Sequence, residues 1–427
     1  MRIMPADAYK IERSVEYGTP EQNDTVRAVV EAVAKRGDEA LLAYTAEFDK
    51  MSLRTEDLRV TEEEVKAAYD EVEEEFLTAI RRAADHIRDF HEKQKRSTWI
   101  DMQEDGTILG QIMRPLKRVG LYVPGGTAAY PSTVMMNAIP AQVAGVSEIV
   151  MVTPPATAGQ AGINPYILVA AAEAGVTEIY RIGGAQAVAA LAYGTETIPP
   201  VDKICGPGNI YVALAKRYVY GRVDIDSIAG PTDIVVLADE TADPEYVAAD
   251  LLSQAEHDVM SKAILVTDSA QLAEAVSREV DRQLAELPRR DIAAEAIAAS
   301  AILTVDSLME GVQTVNRIAP EHLEVIVQDP IGLLPFIENA GAIFLGPYST
   351  EPVGDYFAGP NHVLPTNGTA RFSSPLNIDD FMKKSSVIQY SKQALLRDAE
   401  HIMTLARSEG FEGHARAVQI RVQKEGE

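Results

Sequence analysis

From Arg118 onward, short apolar runs alternate with longer stretches of helical periodicity, and this alternation constrains the fold more than any other feature. The runs are rich in β-branched residues and do not alternate with polar ones, a pattern that indicates strands covered on both faces. Strand, helix and strand in series predict an α/β fold with a mostly parallel sheet and right-handed crossovers. The predicted strands are Val119–Val123, Glu148–Thr153, Glu178–Ile182, Lys203–Cys205, Ile234–Ala238, Ala263–Val266, Ala301–Thr304, Glu324–Val327 and Ala342–Leu345.

The two ends of the chain have different patterns. The first 20 or so residues are polar, contain Gly18 and Pro20, and are predicted to form an extension. A Thr-Glu-Glu-Glu capping box at Thr61 predicts a helix that continues to about Gln94. From about Asn377 the strand-like runs stop, so a helical tail is predicted there. This tail has too little apolar surface to fold alone and is expected to pack on the body of the protein or on another subunit.

The composition argues against several functional classes. The formal net charge is −25, whereas proteins that bind nucleic acid carry a basic surface. No apolar run reaches the ~18 residues that a membrane span requires, and the first residues lack the apolar core of a signal peptide. Cys205 is the single cysteine, so a disulfide within the chain is impossible, as expected in a reducing compartment. These features predict a cytoplasmic protein that binds neither nucleic acid nor membrane.

Several predicted strands are followed by glycine-rich turns. Ligands of open α/β sheets bind at the carboxyl ends of strands, so these turns indicate a ligand crevice suited to a phosphate-bearing molecule. The alternative is that the glycines only make the turns tight. After Gly206 and Gly208, the third glycine of the dinucleotide fingerprint is replaced by Tyr211, so a dinucleotide site here would be atypical. The turns are Pro124–Thr127, Gly183–Gln186, Gly206–Asn209 and Gly230–Thr232.

Two histidine-containing segments supply candidate ligands and catalytic groups. Gln254 and His257 are three residues apart on a predicted helix, and their amide oxygen and imidazole nitrogen could hold a borderline cation such as zinc. The alternative is an ordinary helix end at the surface.

Glu321 and His322 follow Pro320, which ends the preceding helix. A histidine has an ordinary pKa of about 6.5 and suits a general base, and a glutamate can activate water; an exposed turn is the alternative.

Two further segments contain polar residues suited to a site. Residues 354–366 are too rich in glycine and proline for a predicted helix, and within them Asp355 could ligate a metal and His362 could bind a substrate. In the tail, His414 could ligate a metal or cap a helix.

Together these segments resemble the histidinol dehydrogenase family, the enzymes of the last two steps of histidine biosynthesis. The resemblance covers nearly the whole chain, from Arg118–Gly126 to Arg421–Val422. Several ordered motifs are a far more specific signal than any one of them. The most specific are Gly183–Ala187, Gly206–Asn209, Ser253–His257, Ala319–Leu323 and Gly354–Thr366.

The resemblance implies a metal site that is completed by a second subunit. In the family, one zinc ion per subunit has four protein ligands, which correspond to Gln254, His257, Asp355 and, from the partner's tail, His414. The metal also binds the imidazole and amine of L-histidinol, so it positions the substrate. Cobalt or manganese could occupy the same nitrogen and oxygen ligands.

The resemblance also implies the reaction and the roles of the remaining polar residues. L-histidinol is oxidised through L-histidinal to L-histidine with two NAD and without release of the aldehyde. His322 corresponds to the general base, and Glu321 to the group that activates water for hydration of the aldehyde. Thr232 stands where many members are expected to have serine, and the hydroxyl is retained. The implied substrate contacts are Thr232, Gln254, His257, His322, Asp355, His362, Glu409 and His414, and the implied NAD contacts are Tyr122, Gln186 and Asn209.

The family fold predicts two incomplete Rossmann-like domains with mostly parallel sheets, plus N- and C-terminal extensions exchanged in a homodimer. The implied divisions are an extension at 1–20, a first domain at 21–121 and 238–376 with the metal and catalytic residues, an inserted NAD-side domain at 122–237, and a helical tail at 377–427.

Two other functions remain open at this point. A relative that oxidises a different polar alcohol would keep the scaffold, but it would not need the full set of groups expected around an imidazole. A zinc hydrolase, or a metal-binding protein without catalysis, would not need a crevice for NAD.

Overall fold

The structure, a computed structural model, describes residues 1–11, 18–125, 129–155, 162–228 and 230–426, and for 425 and 426 the main chain only. These residues form fourteen strands and sixteen α-helices. The strands are β1 (Arg2–Pro5), β2 (Trp99–Met102), β3 (Ile108–Pro115), β4 (Arg118–Tyr122), β5 (Glu148–Val152), β6 (Glu178–Tyr180), β7 (Lys203–Cys205), β8 (Asp224–Ile225), β9 (Asp233–Ala238), β10 (Lys262–Thr267), β11 (Ala301–Thr304), β12 (His322–Ile326), β13 (Ala342–Leu345) and β14 (Met382–Gln389). The helices are α1 (Pro20–Arg36), α2 (Asp38–Phe48), α3 (Glu62–Ala68), α4 (Glu74–Glu92), α5 (Pro131–Ala144), α6 (Pro165–Glu173), α7 (Gly184–Tyr193), α8 (Ile210–Val219), α9 (Pro244–Ala255), α10 (Ala270–Leu284), α11 (Arg290–Ala299), α12 (Leu308–Ile318), α13 (Pro330–Leu333), α14 (Glu351–Tyr356), α15 (Lys392–Ser408) and α16 (Glu412–Gly426).

The chain forms two compact units, of which the first comprises Met1–Gln94 and Leu116–Phe381. This unit contains two parallel sheets, with strand orders β1-β11-β10-β9-β12-β13 and β6-β5-β4-β7-β8. Leaving β1 aside, both sheets follow the order 3-2-1-4-5 along the chain, as do the first five strands of the doubly wound dinucleotide-binding fold. All nine predicted strands are present, and the predicted mostly parallel α/β fold is confirmed.

The five-stranded sheet is covered by helices that precede it in the sequence and by helices that connect its strands. Val30 and Val33 of α1 share a core with α7, and Ile80 and Ile87 of α4 share a core with α5. The predicted assignment of residues 21–121 to the other domain is therefore wrong for these helices. The periodicity of α1 and α4 predicts an apolar face, but it does not say which sheet that face covers. The predicted boundaries also shift, because β4 belongs to the five-stranded sheet and β9 to the six-stranded one.

The six-stranded sheet begins with the first residues of the chain. β1 pairs in parallel with β11, from Arg2 opposite Ala301 to Pro5 opposite Thr304. The predicted extension at 1–20 is therefore wrong for these four residues, which form an edge strand. Four residues are too few for a reliable periodicity, and the parallel pairing with β11 holds the strand. Residues 12–17 of the predicted extension lie outside the described residues.

The second compact unit comprises Lys95–Pro115 and Met382–Glu427. Its sheet is antiparallel, in the order β14-β3-β2, with Met382 opposite Pro115 and Gln389 opposite Ile108, and α15 packs on α16. The prediction of an all-helical tail at 377–427 is wrong, since β14 is an eight-residue strand. Most of its side chains are exposed, so it lacks the apolar run that identified the other strands, and its pairing with β3 holds it instead. Among the described residues, we find no helix with the length and apolarity needed to cross a membrane.

Candidate active site

A cavity of about 430 Å³ in the first unit brings together most of the predicted site residues. Thr232 precedes β9 and Glu321 precedes β12, so both lie at the amino ends of neighbouring strands in the six-stranded sheet. The turn Gly206–Asn209 lies at the carboxyl end of β7 in the five-stranded sheet. The predicted residues that line the cavity are Asn209, Thr232, Gln254, His257, Glu321, His322, Asp355 and His362.

Local structure at three of these positions differs from the sequence prediction. The Gly230–Thr232 turn leads into β9 rather than ending the strand before it. α9 ends at Ala255, so His257 follows the helix that carries Gln254, and the two do not share a helical face. Asp355 lies in the short helix α14, although its segment was predicted to be a loop.

His322 is held as a neutral imidazole with one free nitrogen. Its Nδ1 lies 3.1 Å from the main-chain oxygen of Asp233, and because a carbonyl oxygen only accepts, Nδ1 carries the hydrogen. Nε2 is buried and has no hydrogen-bond partner among the described residues. Burial lowers the pKa of His322, which favours the neutral ring. The side chain therefore presents an unshared electron pair that can accept a proton.

Glu321 and Gln254 are connected through the hydroxyl of Thr232. Gln254 Nε2 donates to Thr232 Oγ1, which donates in turn to Glu321 Oε2. The main-chain NH of Asp233 donates to the same Glu321 oxygen at 3.2 Å. The amide nitrogen of Gln254 is engaged by Thr232, and its Oε1 is buried without a partner in the described part of the chain. The network therefore leaves the Oε1 atom of Gln254, rather than its nitrogen, available as a ligand.

The carboxyl groups at this edge of the six-stranded sheet have raised pKa values. Burial raises the pKa of Glu321 to about 8, and the nearby carboxylate of Asp355 adds to the effect. Burial, and then the charge of Glu321, raise the pKa of Asp233 to about 7. Perturbed carboxyl groups in a cavity are characteristic of reaction sites.

Asp355 lies at the centre of a cluster of possible metal ligands. His362 Nδ1 is 3.1 Å from the main-chain oxygen of Asp355 and 3.7 Å from its Oδ1. Asp355 also forms a group with His322 and Glu351 whose ligand atoms all lie within 4.8 Å of one another. Burial lowers the pKa of His362 and of His257, so both rings favour the neutral form that binds metals.

A set of buried carboxyl groups near Asp355 was not predicted from the sequence. Glu351 lines the cavity, and its main-chain NH donates to Glu324 Oε1 at 2.8 Å. Glu324 also shares a hydrogen bond with Asp250, which accepts from Thr350 Oγ1 at 2.6 Å. Burial raises the pKa of Glu324 and of Glu351 to about 9. A glutamate inside the apolar run of β12 was the signal that could have identified them.

The donor set of the cavity suits the predicted metal. Gln254 offers a buried amide oxygen without a partner, and His257 and Asp355 line the same cavity with an imidazole and a carboxylate. An imidazole nitrogen together with amide and carboxylate oxygens can bind zinc and similar borderline cations. The residues present therefore fit the ion.

The three predicted NAD contacts have separate local environments. Asn209 lines the cavity and caps α8, since its Oδ1 accepts from the NH groups of Tyr211 and Val212. The hydroxyl of Tyr122 accepts from the NH of Gly184 at 2.9 Å. Gln186 donates to Asp49 at 3.2 Å, and its Oε1 is buried without a partner. Tyr122 and Gln186 do not line the cavity that contains Asn209, within the part of the chain described.

The NAD-side turn Gly206–Asn209 packs so closely against the rest of the protein that its glycines exclude a side chain. A Cβ on Gly206 would lie 2.1 Å from the main-chain oxygen of Tyr122, and one on Gly208 would meet the side chain of Val212 at 2.5 Å. The observation that fits a polar cofactor is the buried Oε1 of Gln186, which has no hydrogen-bond partner among the described residues. Of the predicted turn at Pro124–Thr127, Gly126 and Thr127 lie outside the described residues.

The remaining two predicted residues belong to the second compact unit. Glu409 is the C-cap of α15, and His414 lies in the first turn of α16. Both are exposed on this chain, and the ring of His414 lies 5.2 Å from that of Phe411. Their local structure leaves both side chains accessible to another molecule.

Comparisons with known proteins agree with the resemblance found in the sequence. A family model described as histidinol dehydrogenase matches residues 13–422. The chain is 60% identical to the histidinol dehydrogenase of Halalkalibacterium halodurans over 98% of both chains. It is 58% identical to that of Bacillus subtilis, over 98% of this chain and 97% of the other. A crystal structure of histidinol dehydrogenase from Elizabethkingia anophelis matches with a TM-score of 0.93 and 40% identity, over 98% of this chain and 95% of that one.

Proposed function

The chain belongs to the histidinol dehydrogenase family, and from this premise we propose that it oxidises L-histidinol through L-histidinal to L-histidine with two NAD. The observation that supports this most directly is the state of His322. Its Nδ1 is fixed by the main-chain oxygen of Asp233, and its buried Nε2 has no partner in the described part of the chain. Oxidation of an alcohol requires a base for the hydroxyl proton, and this ring supplies one.

His322 and Glu321 would divide the two oxidations between them. In the first, His322 Nε2 accepts the hydroxyl proton while a hydride leaves the adjacent carbon. In the second, Glu321 accepts a proton from the water that adds to the aldehyde. Its pKa of about 8 makes the ionised carboxylate a stronger base than an exposed glutamate. NAD, when bound, accepts one hydride in each oxidation, and its proposed contacts are Tyr122, Gln186 and Asn209.

We assign the metal ligands to Gln254, His257 and Asp355 of one chain and His414 of the partner subunit. Zinc, when bound, supplies a fixed charge that holds the imidazole and amine of the substrate. Thr232 keeps the oxygen of Gln254 available, and burial lowers the pKa of His362, which favours its neutral ring. Positioning by groups of this kind can lower a barrier by several kcal/mol. Glu409 of the partner subunit and His362 would complete the contacts to the substrate.

A homodimer with exchanged tails is supported by the surface of the second unit. Exposed large apolar side chains in such number are typical of an interaction surface. Glu409 and His414 are exposed on the same unit, so a second chain could receive them. The exposed large apolar residues described in this unit are Trp99, Ile100, Met102, Ile388, Tyr390, Leu396, Leu405, Phe411 and Ile420.

The proposed activity is tested by counting products. Zinc-loaded protein incubated with L-histidinol and NAD should form two NADH for each L-histidine. An amino alcohol without an imidazole should give little NADH, whereas equal rates with both would favour the relative that oxidises another alcohol. Absence of NADH with L-histidinol would refute the proposal.

The shared site is tested by placing two substitutions on the same or on different chains. Heterodimers of a His257→Ala chain with a His414→Ala chain should keep one intact site and part of the activity. Heterodimers of a His257→Ala/His414→Ala chain with the wild type should be inactive, because each site then lacks one ligand. If each site is built from one chain, the two results are reversed.

A further inference from the structure

We propose that the buried ion pair of Lys216 and Asp226 positions the turn Gly206–Asn209 for the dinucleotide, an inference that rests on the proposed function. Lys216 lies in α8, and Asp226 directly follows β8. Their side chains are only 2% and 4% exposed, and they form an ion pair. The turn that they flank connects β7 to α8 and lines the cavity.

The pair holds both polar groups of Gly206. Lys216 Nζ donates to the main-chain oxygen of Gly206 at 2.9 Å, and Asp226 Oδ2 accepts from its main-chain NH at 2.7 Å. Since Lys216 and Asp226 also form an ion pair with each other, two charge-assisted hydrogen bonds and one ion pair connect the three residues in a closed ring. The ring fixes the peptide groups on both sides of the first residue of the turn.

The backbone conformation and the packing at Gly206 permit only glycine. Its φ of +112° is a conformation that residues with a side chain rarely adopt. Its α-carbon also packs closely against the main chain of Tyr122, the last residue of β4. A cofactor that binds Asn209 at the end of this turn therefore meets a backbone whose path is set by Gly206. We infer that the ion pair determines where that backbone lies.

Stability alone does not explain a buried lysine at this point. Burial of two charges costs several kcal/mol, and a buried ion pair is often no more stabilising than apolar residues of similar size. Lys216 is also the one lysine or arginine among the described residues that line the cavity, and its charge is already matched by Asp226. It is therefore better suited to hold the turn than to bind a phosphate as a free cation.

Lys203, a second buried lysine close to the turn, offers a matched control. Lys203 of β7 is 5% exposed and pairs with Asp224 at 3.0 Å and Asp380 at 3.4 Å. It lies three residues before Gly206 in the same segment, and its described partners are not main-chain groups of the turn. Lys203→Met therefore removes a buried lysine close to the turn without releasing Gly206.

The test compares NADH affinity, measured by fluorescence titration of the zinc-loaded protein, with the KM for L-histidinol. Lys216→Met should raise the Kd for NADH tenfold or more and leave the KM for L-histidinol within twofold. Lys203→Met should leave both within twofold, although it lowers stability. Lys216→Met/Asp226→Asn removes both buried charges, which protects folding, and should show the same loss of NADH affinity because Gly206 still lacks its donor.

The outcomes separate this inference from the proposed function. If folded Lys216→Met and the double variant bind NADH as the wild type does, the ion pair does not position the turn. An equal loss in Lys203→Met would assign the effect to general destabilisation and also overturn the inference. Failure of the wild type to bind NADH would overturn the proposed function, and this inference with it.

Discussion

The amino ends of the two parallel sheets both carry ionisable side chains, but in opposite electrostatic settings. In the five-stranded sheet, Arg118, Glu148 and Glu178 are the first residues of β4, β5 and β6. Arg118 Nη1 lies 2.8 Å from both carboxyl groups. Hydrogen bonding from Arg118 lowers the pKa of Glu178 to about 2. Each carboxylate here has a cationic partner.

In the six-stranded sheet, the corresponding edge has carboxyl groups that burial makes harder to ionise. Asp233 begins β9 and Glu321 precedes β12, and burial raises their pKa values to about 7 and 8. The two sheets share a strand order, so the difference does not come from topology. It comes from whether a carboxyl group has a cationic partner, as Glu178 has in Arg118, or is buried at the cavity, as Glu321 is. Paired groups hold strands together, whereas unpaired ones remain available for a reaction.

The largest expected effect is on turnover and comes from His322 at the unpaired edge. His322→Asn should lower kcat about 10²–10⁴-fold, the usual contribution of a general base, with little change in unfolding free energy. Steady-state kinetics and urea unfolding measure the two quantities. His401→Asn, at an exposed position of α15, is the control and should leave kcat unchanged. If His322→Asn keeps a kcat within threefold of the wild type, this edge of the six-stranded sheet does not supply the base for the reaction.

At the paired edge, the next largest effect should be on stability. Arg118→Met removes the buried cation from Glu178 and leaves Glu148 with only the exposed Lys117, so the unfolding free energy should fall by about 3 kcal/mol. The folded variant should keep its kcat. Arg282→Met breaks an ion pair that is half exposed and should cost no more than about 0.5 kcal/mol. A large loss of kcat per folded molecule in Arg118→Met would show that this edge also takes part in the reaction.

A smaller effect should come from the connection between Glu321 and Gln254. Thr232→Val removes the hydroxyl that both residues contact, and leaving buried polar groups unpaired costs about 1–3 kcal/mol. We expect kcat/KM for L-histidinol to fall about tenfold or more, since 1.4 kcal/mol corresponds to a factor of ten. Thr232→Ser keeps the hydroxyl and should stay close to the wild type. Equal activities for the two variants would count against the connection.

The smallest effect should be a difference in acid stability. Because the folded pKa of Glu178 is about 2 and its ordinary value is 4.5, its stabilising effect is present above pH 4.5 and is lost as the pH falls toward 2. The wild type should therefore lose unfolding free energy more steeply than Glu178→Gln between pH 5 and 3. Urea titrations at several pH values measure these slopes. Parallel slopes would mean that Glu178 is not stabilised by Arg118.

The parallel sheets were predictable because buried strands leave a clear pattern. Runs such as Lys203–Cys205 and Ala301–Thr304 match β7 and β11 residue for residue. Five strands, β1, β2, β3, β8 and β14, were missed, since most of them are exposed or at an edge and depend on backbone pairing rather than on an apolar run. The partners of α1 and α4 were also missed, because an amphipathic pattern predicts a buried face without naming what covers it.

Most candidate residues of the site were found from motifs, but not the way they are held. Eight of them line one cavity, as the ordered motifs implied. The tautomer of His322 depends on a carbonyl of Asp233, 89 positions away in sequence, and no local pattern encodes that contact. The same applies to the Lys216–Asp226 pair, which becomes visible only when α8 and β8 are brought together. Sequence motifs therefore identified reacting groups better than the groups that position them.

The central claim is that the unpaired edge carries two groups with separate tasks, and one measurement tests it most directly. The rates of oxidation of L-histidinol and of L-histidinal are determined separately for His322→Asn and Glu321→Gln. We expect that His322→Asn mainly slows oxidation of the alcohol and that Glu321→Gln mainly slows oxidation of the aldehyde. Equal losses of both rates in both variants would contradict it.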